Sequence, residues 1–406
     1  MSPAPQTAGG LLMVYGRMDT GGIETLIVRL ANVVTGRGTR VAVCTSGGPL
    51  LDRLDPGVER LDYADESKAI DSAAAWLEAN GPATILSFDP ISAALALDIE
   101  TRAGAALAPT HLSGVFHPRA YFMTGSRKDR IALNRLVARA VGDERLFFMN
   151  EEARDEHGRV LGVGQGSAIL PLPIAEQPAQ WSASTRPALR LVSVGRLVDF
   201  KAFVLAIPGI VRDLAAQGID ARWDIYGDGP LKGELEGLIA ASRSDRVRLL
   251  GLLPYENFAA TVAGYDLFVG MGTAALEAAM LGVPTIVATE SSASTSHGYL
   301  HDLPFGNVGE RRTDLPAHEL GEMIARFAAL GEDGRAALSE ASRAAARRFS
   351  TDHFLAALEA LGARTGENAS PLRKRVAAAL YRLATRSAGI RLARRLRALA
   401  RSGGAS

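Results

Sequence analysis

Three short segments pair glycine turns with cations or a carboxylate at spacings that suit a ligand carrying a diphosphate. In SVGRLVDFK (193–201) Arg196 follows an apolar run, and Lys201 comes five residues later at a helix start. Two cations so placed match a diphosphate by charge and by hydrogen bonding, although an Arg and a Lys on a loop are more commonly just solvated. In GRMDTGGIE (16–24) Gly21 and Gly22 stand where a helix begins. Glycine admits close backbone approach, and the open N–H groups of a first turn attract anions, but a Gly-Gly pair is equally a tight turn that binds nothing. In FVGMGTAALEAAMLGVPTIVA (268–288) a strand is expected to end at Gly270 and a helix to start near Thr273. The N–H groups of Gly272, Thr273 and Ala274 are then expected to be unpaired donors that seat a phosphate without any side chain. Glu277, one turn further in, either reaches the ribose diol beside that phosphate or merely complements the helix dipole.

These segments need elements that bring them to one place. Apolar strand-like runs at 10–16, 39–47, 83–90, 112–118 and 145–150 alternate with amphipathic helical stretches such as 22–38 and 126–141. That is βαβ patterning and predicts a parallel sheet covered on both faces. Pro171, Pro173, Pro178 and Pro187 mark 171–187 as a linker. A second series follows, with strands at 188–196, 221–229, 246–251, 266–270 and 284–289 and helices at 201–217, 230–243, 255–264 and 273–282. The expected organisation is an N-terminal Rossmann-like domain (1–170), the linker, a second such domain (188–349), a returning helix and linker (350–370) and a tail (371–406). Ligands of such sheets bind at the carboxyl ends of the strands, and with two domains the expected site is a cleft between them.

Composition narrows the class. The 406 residues, 47% of them hydrophobic, supply cores for two domains. A single cysteine, Cys44, excludes an intramolecular disulfide framework and a multi-cysteine zinc site. The glycine loop at 16–24 does not fit G-x-G-x-x-G, which argues against a nicotinamide oxidoreductase, and no G-x-x-x-x-G-K-[ST] occurs. No cluster with metal-ligand spacing is visible, so no metal or other cofactor is expected. Neither a basic start followed by an apolar run nor a clean spanning stretch is present, which predicts a cytoplasmic protein. The net charge of +1 hides an asymmetry: residues 371–406 hold ten basic and no acidic residues, leaving 35 basic against 44 acidic elsewhere. In the tail, Leu372, Val376, Leu380 and Leu383 form one helical stripe; past Ser387–Gly389, Leu392, Leu396 and Leu399 form another, nearly opposite. Two short basic amphipathic helices predict contact with an anionic membrane surface; the competing expectation is a solvated tail or one docked on the acidic body.

GRMDTGGIETLIVRLANVVTGRGTRVAVCT, SVGRLVDFK, IYGDGPL and GMGTAALEAAMLGVPTIVA, in this order and at these distances, resemble a retaining glycosyltransferase of family four with the GT-B fold, over roughly residues 10–361. The resemblance implies two facing Rossmann-like domains and transfer of a sugar from a nucleotide diphosphate sugar to a saccharide, often lipid-linked, in surface-polysaccharide synthesis. It implies that Gly21 and Gly22 lie near the donor diphosphate and acceptor, that Arg196 and Lys201 grip the diphosphate, that Glu277 binds the ribose, and that the base is met near Leu252–Leu253 largely through backbone. It also implies that His117, at a strand end, contacts the donor sugar near the reacting carbon; alone, His117 is equally an ordinary loop histidine. Asp228 in YGDGP reads as a turn residue. Glu24 reads as a helix N-terminal charge, and Asp19 could meet the acceptor. One departure stands out: eight residues before Glu277 the family places a second glutamate that contacts the sugar, and this chain has Val269. With no carboxylate nucleophile to hand for double displacement, the resemblance implies front-face substitution. The alternative is a catalytically degenerate nucleotide-binding GT-B protein acting as partner subunit or regulator.

Overall fold

The computed structural model describes residues 9–383 apart from 20, 63–64, 82, 105–106, 108, 118, 123–127, 184–187 and 365–369. The chain divides into two units, one comprising residues up to Pro171 and from Leu355 onward, the other Leu172–Phe354. In the first, strands β1 (Gly10–Val14), β2 (Val41–Thr45), β3 (Glu59–Asp62), β4 (Ala83–Ser87), β5 (Thr110–Val115), β6 (Leu146–Phe148) and β7 (Ala168–Ile169) alternate with helices α1 (Gly22–Gly36), α2 (Glu66–Asn80), α3 (Pro90–Ala103), α4 (Lys128–Val141) and α5 (Glu151–Leu161). The sheet order is β3-β2-β1-β4-β5-β6-β7, and every pairing is parallel. β1 lies at the switch point, pairing Leu12 with Ala42 on one side and Ile85 on the other. Both faces are covered, so β1 and β2 are buried at every residue, Cys44 included. Local chemistry sets the helix ends. The Asp89 carboxylate accepts from Ser92 N at 2.7 Å, and Ser92 Oγ in return accepts from Asp89 N, a reciprocal box with Pro90 in the first turn.

The second unit repeats the scheme. Strands β8 (Leu189–Val194), β9 (Ala221–Tyr226), β10 (Val247–Leu249), β11 (Leu267–Gly270) and β12 (Thr285–Ala288) are parallel, and β13 (Thr295–Tyr299) and β14 (His318–Glu319) add an antiparallel edge. Helices α6 (Phe203–Ala216), α7 (Lys232–Ser242), α8 (Phe258–Val262), α9 (Thr273–Met280), α10 (Leu320–Ala328) and α11 (Glu332–Arg347) surround the sheet. One core lies on the α6 and α10 face around Trp223 and Phe327, the other around Phe268 and the α9 residues. The antiparallel edge and the short strands β3 and β7 are additions that the sequence pattern did not single out. The expected linker is fastened in its described part: Ile174 is fully buried and bridges to Ser350, and the Trp181 indole donates to Tyr265 O at 2.8 Å.

After α11 the chain passes through α12 (Thr351–Gly362) into the first unit. The stretch 371–383 is helical and docks there by one face: Ala377, Ala378 and Tyr381 are buried in the cluster that includes Val137, Val141 and Phe148. Lys374 Nζ lies 2.6 Å from Glu100 Oε1 with both side chains nearly buried, and Arg382 lies 3.1 Å from Asp98. The opposite face carries Leu372 (71% exposed), Val376 (44%), Leu380 (44%) and Leu383 (66%). The first 13 residues of the predicted tail are therefore a docked helix with its apolar stripe outward; the second stripe, Leu392, Leu396 and Leu399, lies outside the described residues. Among the described residues no helix is long and apolar enough to cross a membrane.

Burial pushes the Asp98 carboxyl up from 3.8 to about 6, against the opposing pull of Arg382. A folded-state value above the unfolded one means that protonation favours the folded chain, so this contribution grows as pH falls through about 6 toward about 4 and is lost as pH rises again. The unfolding free energy of the wild type relative to Asp98→Asn is expected to fall between about pH 4 and pH 7 in denaturant titrations. A pH-independent difference would contradict this account of Asp98.

Candidate functional site

The carboxyl ends of β8, β9 and β11 form one plate in the second unit. The loop after β8 and the loop after β9 are laced together by backbone bonds: Gly195 N to Tyr226 O at 2.9 Å, Leu197 N to Asp228 O at 2.9 Å and Leu231 N to Leu197 O at 3.1 Å. A Cβ on Gly227 would strike the Gly195 carbonyl oxygen, and one on Gly229 the Leu197 carbonyl oxygen. These contacts are why YGDGP carries its two glycines. Asp228 turns back to Gly229 N and pairs with Lys232, the turn role expected of it. Below the plate, Trp223 Nε1 donates to Ser193 Oγ, which donates to Val269 O, tying β8, β9 and β11 by a buried polar chain.

Arg196 and Lys201 come together here. Lys201 Nζ lies over Gly195, 2.9 Å from where a Cβ would stand. Gly195, Arg196, Lys201, Tyr226 and Met271 line one small recess, which brings both cations beside the residue that precedes Gly272. Burial first and the neighbouring Arg196 second lower the Lys201 pKa. An anion bound between them relieves that repulsion. Phe200, next in the loop, accepts Ser291 N through its carbonyl at 2.8 Å, and Ser291 holds a left-handed φ of 52°.

At the next loop the structure corrects one expectation. α9 begins at Thr273 with Gly272 as its N-cap, but the Gly272 N–H donates to Val308 O at 2.8 Å. Thr273 and Ala274 remain as the donors at the helix start. The segment responsible, Asn307–Glu310, is pinned by Asn307 Oδ1 to Gly309 N and by Glu310 Oε2 to Val308 N, and Gly309 presses on Met271. Glu277 is buried, 8% exposed, and accepts the Tyr255 hydroxyl at 3.2 Å. Leu253 is half-buried in the same β10–α8 connection, whereas Leu252 is 74% exposed. Val269 is fully buried within β11, opposite Ile286, and only Met271 and Gly272 separate strand from helix. Val269 is thus a core residue, and no side chain of that short connection supplies a carboxylate.

The remaining candidates lie in the first unit. Gly21 caps α1, which starts at Gly22, and the Glu24 carboxylate folds back against Gly21 over the helix N-terminus. The chain's own charge thus complements this helix end. Asp19 pairs with Arg17 at 2.9 Å. Burial, with Glu24, Asp89 and Asp19 nearby, raises the pKa of Tyr15. His117 follows β5 and accepts Arg119 N through Nδ1 at 3.0 Å; partial burial and Arg119 hold its pKa below the ordinary value, so the ring is neutral. Among the described residues no group of His, Cys, Asp and Glu could hold a metal ion. A hollow of about 520 Å³, lined by Arg190, Arg222, Asp224, Arg248 and Tyr265, opens at the opposite ends of the second unit's strands. There Arg248 is paired with Asp224.

Tyr255 and the 307–310 segment escaped the sequence reading. No local signal links Tyr255 to Glu277 or Val308 to Gly272, because those contacts are made by folding.

Comparison with known proteins gives a family match in the second unit and a likeness of fold. Residues 188–302 match the model of the family described as Glycosyl transferases group 1. A putative colanic acid biosynthesis glycosyltransferase, WcaL of Salmonella typhimurium, is 28% identical over 159 residues. That match spans 36% of this chain and 37% of the relative. Among solved structures, a glycosyltransferase from Rickettsia africae superposes with a TM-score of 0.61 at 12% identity, over 88% of this chain and all of that one. The apo form of the lipopolysaccharide outer core galactosyltransferase WaaB gives 0.53 at 15%, over 86% and 98%. At such identities the likeness is one of fold.

The glycine lacing predicts a sharp contrast. Gly227→Ala is expected to lower the unfolding free energy by about 2 kcal/mol, because a backbone carbonyl cannot swing aside as a side chain does. Gly233→Ala, on α7 with nothing near its Cβ, is expected to be neutral or stabilising by about 0.5 kcal/mol. Equal effects in chemical denaturation would dissolve the argument.

Proposed function

From the match of residues 188–302 to the glycosyl transferases group 1 family and the GT-B fold of the chain, we propose that the protein is a retaining, hexosyltransferase-type glycosyltransferase. It moves a sugar from a nucleotide diphosphate sugar to a saccharide acceptor, lipid-linked, in surface-polysaccharide or glycoconjugate synthesis. The observation that carries the reading is the convergence of Arg196 and Lys201 beside Met271, at the start of α9, with the buried Glu277 one turn inside.

The chemistry follows from charge. The bond between the anomeric carbon and the departing diphosphate oxygen breaks, and the bond to the acceptor oxygen forms on the same face. The acceptor proton passes to the departing phosphate. Negative charge thus grows on the diphosphate, where Arg196, Lys201 and the Thr273 and Ala274 amides are preorganised to stabilise it. Glu277 accepts hydrogen bonds from the ribose diol, Leu253 borders the base, and Gly21, Gly22 and the neutral His117 serve the donor sugar and acceptor. Holding both substrates supplies the rest. A second reading, a nucleotide-binding partner or regulator without transferase activity, draws on Val269, which is locked in the core where the family places a carboxylate. Incubation with a panel of nucleotide diphosphate sugars separates the two. Release of nucleotide diphosphate, slowed about 100-fold or more in Arg196→Ala and in Lys201→Ala, is expected; nucleotide binding without release under any condition would favour the second reading.

We further propose that the protein works on the inner face of the cytoplasmic membrane. The support is the outward stripe Leu372, Val376, Leu380 and Leu383, together with a tail of ten basic and no acidic residues. The leucines favour shallow insertion, and each well-placed cation contributes about 1 kcal/mol at an anionic surface. Full-length protein is expected to float with anionic vesicles at low salt and less at high salt, whereas a chain ending near Ser370 stays behind. Equal flotation would remove the tail as the anchor.

A further inference from the structure

We propose that Tyr255 is a positioning residue for nucleotide binding: its hydroxyl holds the Glu277 carboxylate in the orientation that meets the ribose hydroxyls. The inference rests on the ribose-binding reading of Glu277 given above. Glu277 is 8% exposed and sits on α9, and Tyr255 reaches it from the connection between β10 and α8, donating its O–H to Oε1 at 3.2 Å. Two separate elements therefore set one carboxylate.

The terminal torsion of a glutamate is soft, and a vicinal diol donates two hydrogen bonds to a carboxylate only when its plane is turned toward them. A carboxylate oxygen has two acceptor positions. A donor on Oε1 therefore restrains the plane without exhausting the acceptor capacity of that oxygen. The tether comes from a side chain that is 59% exposed. Tyr255→Phe removes the tether and keeps the ring.

The test is calorimetry of the full-length protein with UDP, GDP and ADP and with the 2′,3′-dideoxy form of whichever binds. Tyr255→Phe is expected to weaken the ribonucleotide about 3- to 10-fold, the scale of one hydrogen bond, and to leave the dideoxy affinity unchanged. Combined with Glu277→Gln, it is expected to add little further loss. Equal weakening of both nucleotides, or no weakening of either, would overturn the role of Tyr255. If the wild type itself does not distinguish ribose from dideoxyribose, or Glu277→Gln leaves affinity intact, the ribose reading fails, and the positioning role fails with it. Unchanged ribose discrimination in Tyr255→Phe beside its loss in Glu277→Gln would overturn the positioning role alone.

Discussion

Parallel strands end with backbone groups that must find partners, and in the second unit they find them in one another's loops. Gly195 N bonds to Tyr226 O, Gly227 N to Gly251 O, Gly272 N to Val308 O and Glu290 N to Gly309 O. Because a buried unpaired amide or carbonyl is costly, this lacing leaves the loops little freedom. It forces close approach, and close approach admits only glycine at 227 and 229. The two cations, the helix start and Glu277 hang on that plate, so their placement rests on backbone geometry more than on contacts among themselves.

The same economy explains the unusual strand-to-helix step at α9. With β11 ending at Gly270 and α9 starting at Thr273, only Met271 and Gly272 connect them, and neither carries a carboxylate. The space beside Met271 is taken by the 307–310 segment, held by Asn307, by Glu310 and by a glycine at a φ of 132°. A carboxylate is thus present near this edge, but it arrives from later in the chain and already accepts a backbone N–H. The two cations and the helix start, by contrast, are supplied by the strand ends themselves.

Charge in the first unit is organised around the returning chain. The 371–383 helix turns Lys374 and Arg382 toward Glu100 and Asp98 on α3. The Lys374–Glu100 pair is nearly buried, and such a pair is costly to break by removing one partner, so this contact favours the docked face of the helix. The face left outward is apolar. Part of the tail's positive charge, Lys374 and Arg382, thus secures the helix on the first unit.

Much of this was legible in the sequence because it is local. Alternation of apolar strands with amphipathic helices gave two doubly wound sheets, glycines marked the turns, and the leucine spacing at 372–383 marked a stripe that does lie on one face. The pairing of Arg196 with Lys201 was legible because both belong to one loop. What required the tertiary structure was every contact between residues distant along the chain. The Gly272 amide looked open because its acceptor, Val308, lies far downstream, and the hydroxyl that meets Glu277 belongs to another loop. Val269 could be counted eight residues from Glu277, but only the sheet places it in the core. Periodicity finds the faces of a helix; which face turns inward at 371–383 shows only where Ala377, Ala378 and Tyr381 meet the first unit's core and Lys374 meets Glu100 on α3, and that no stretch of sequence displays.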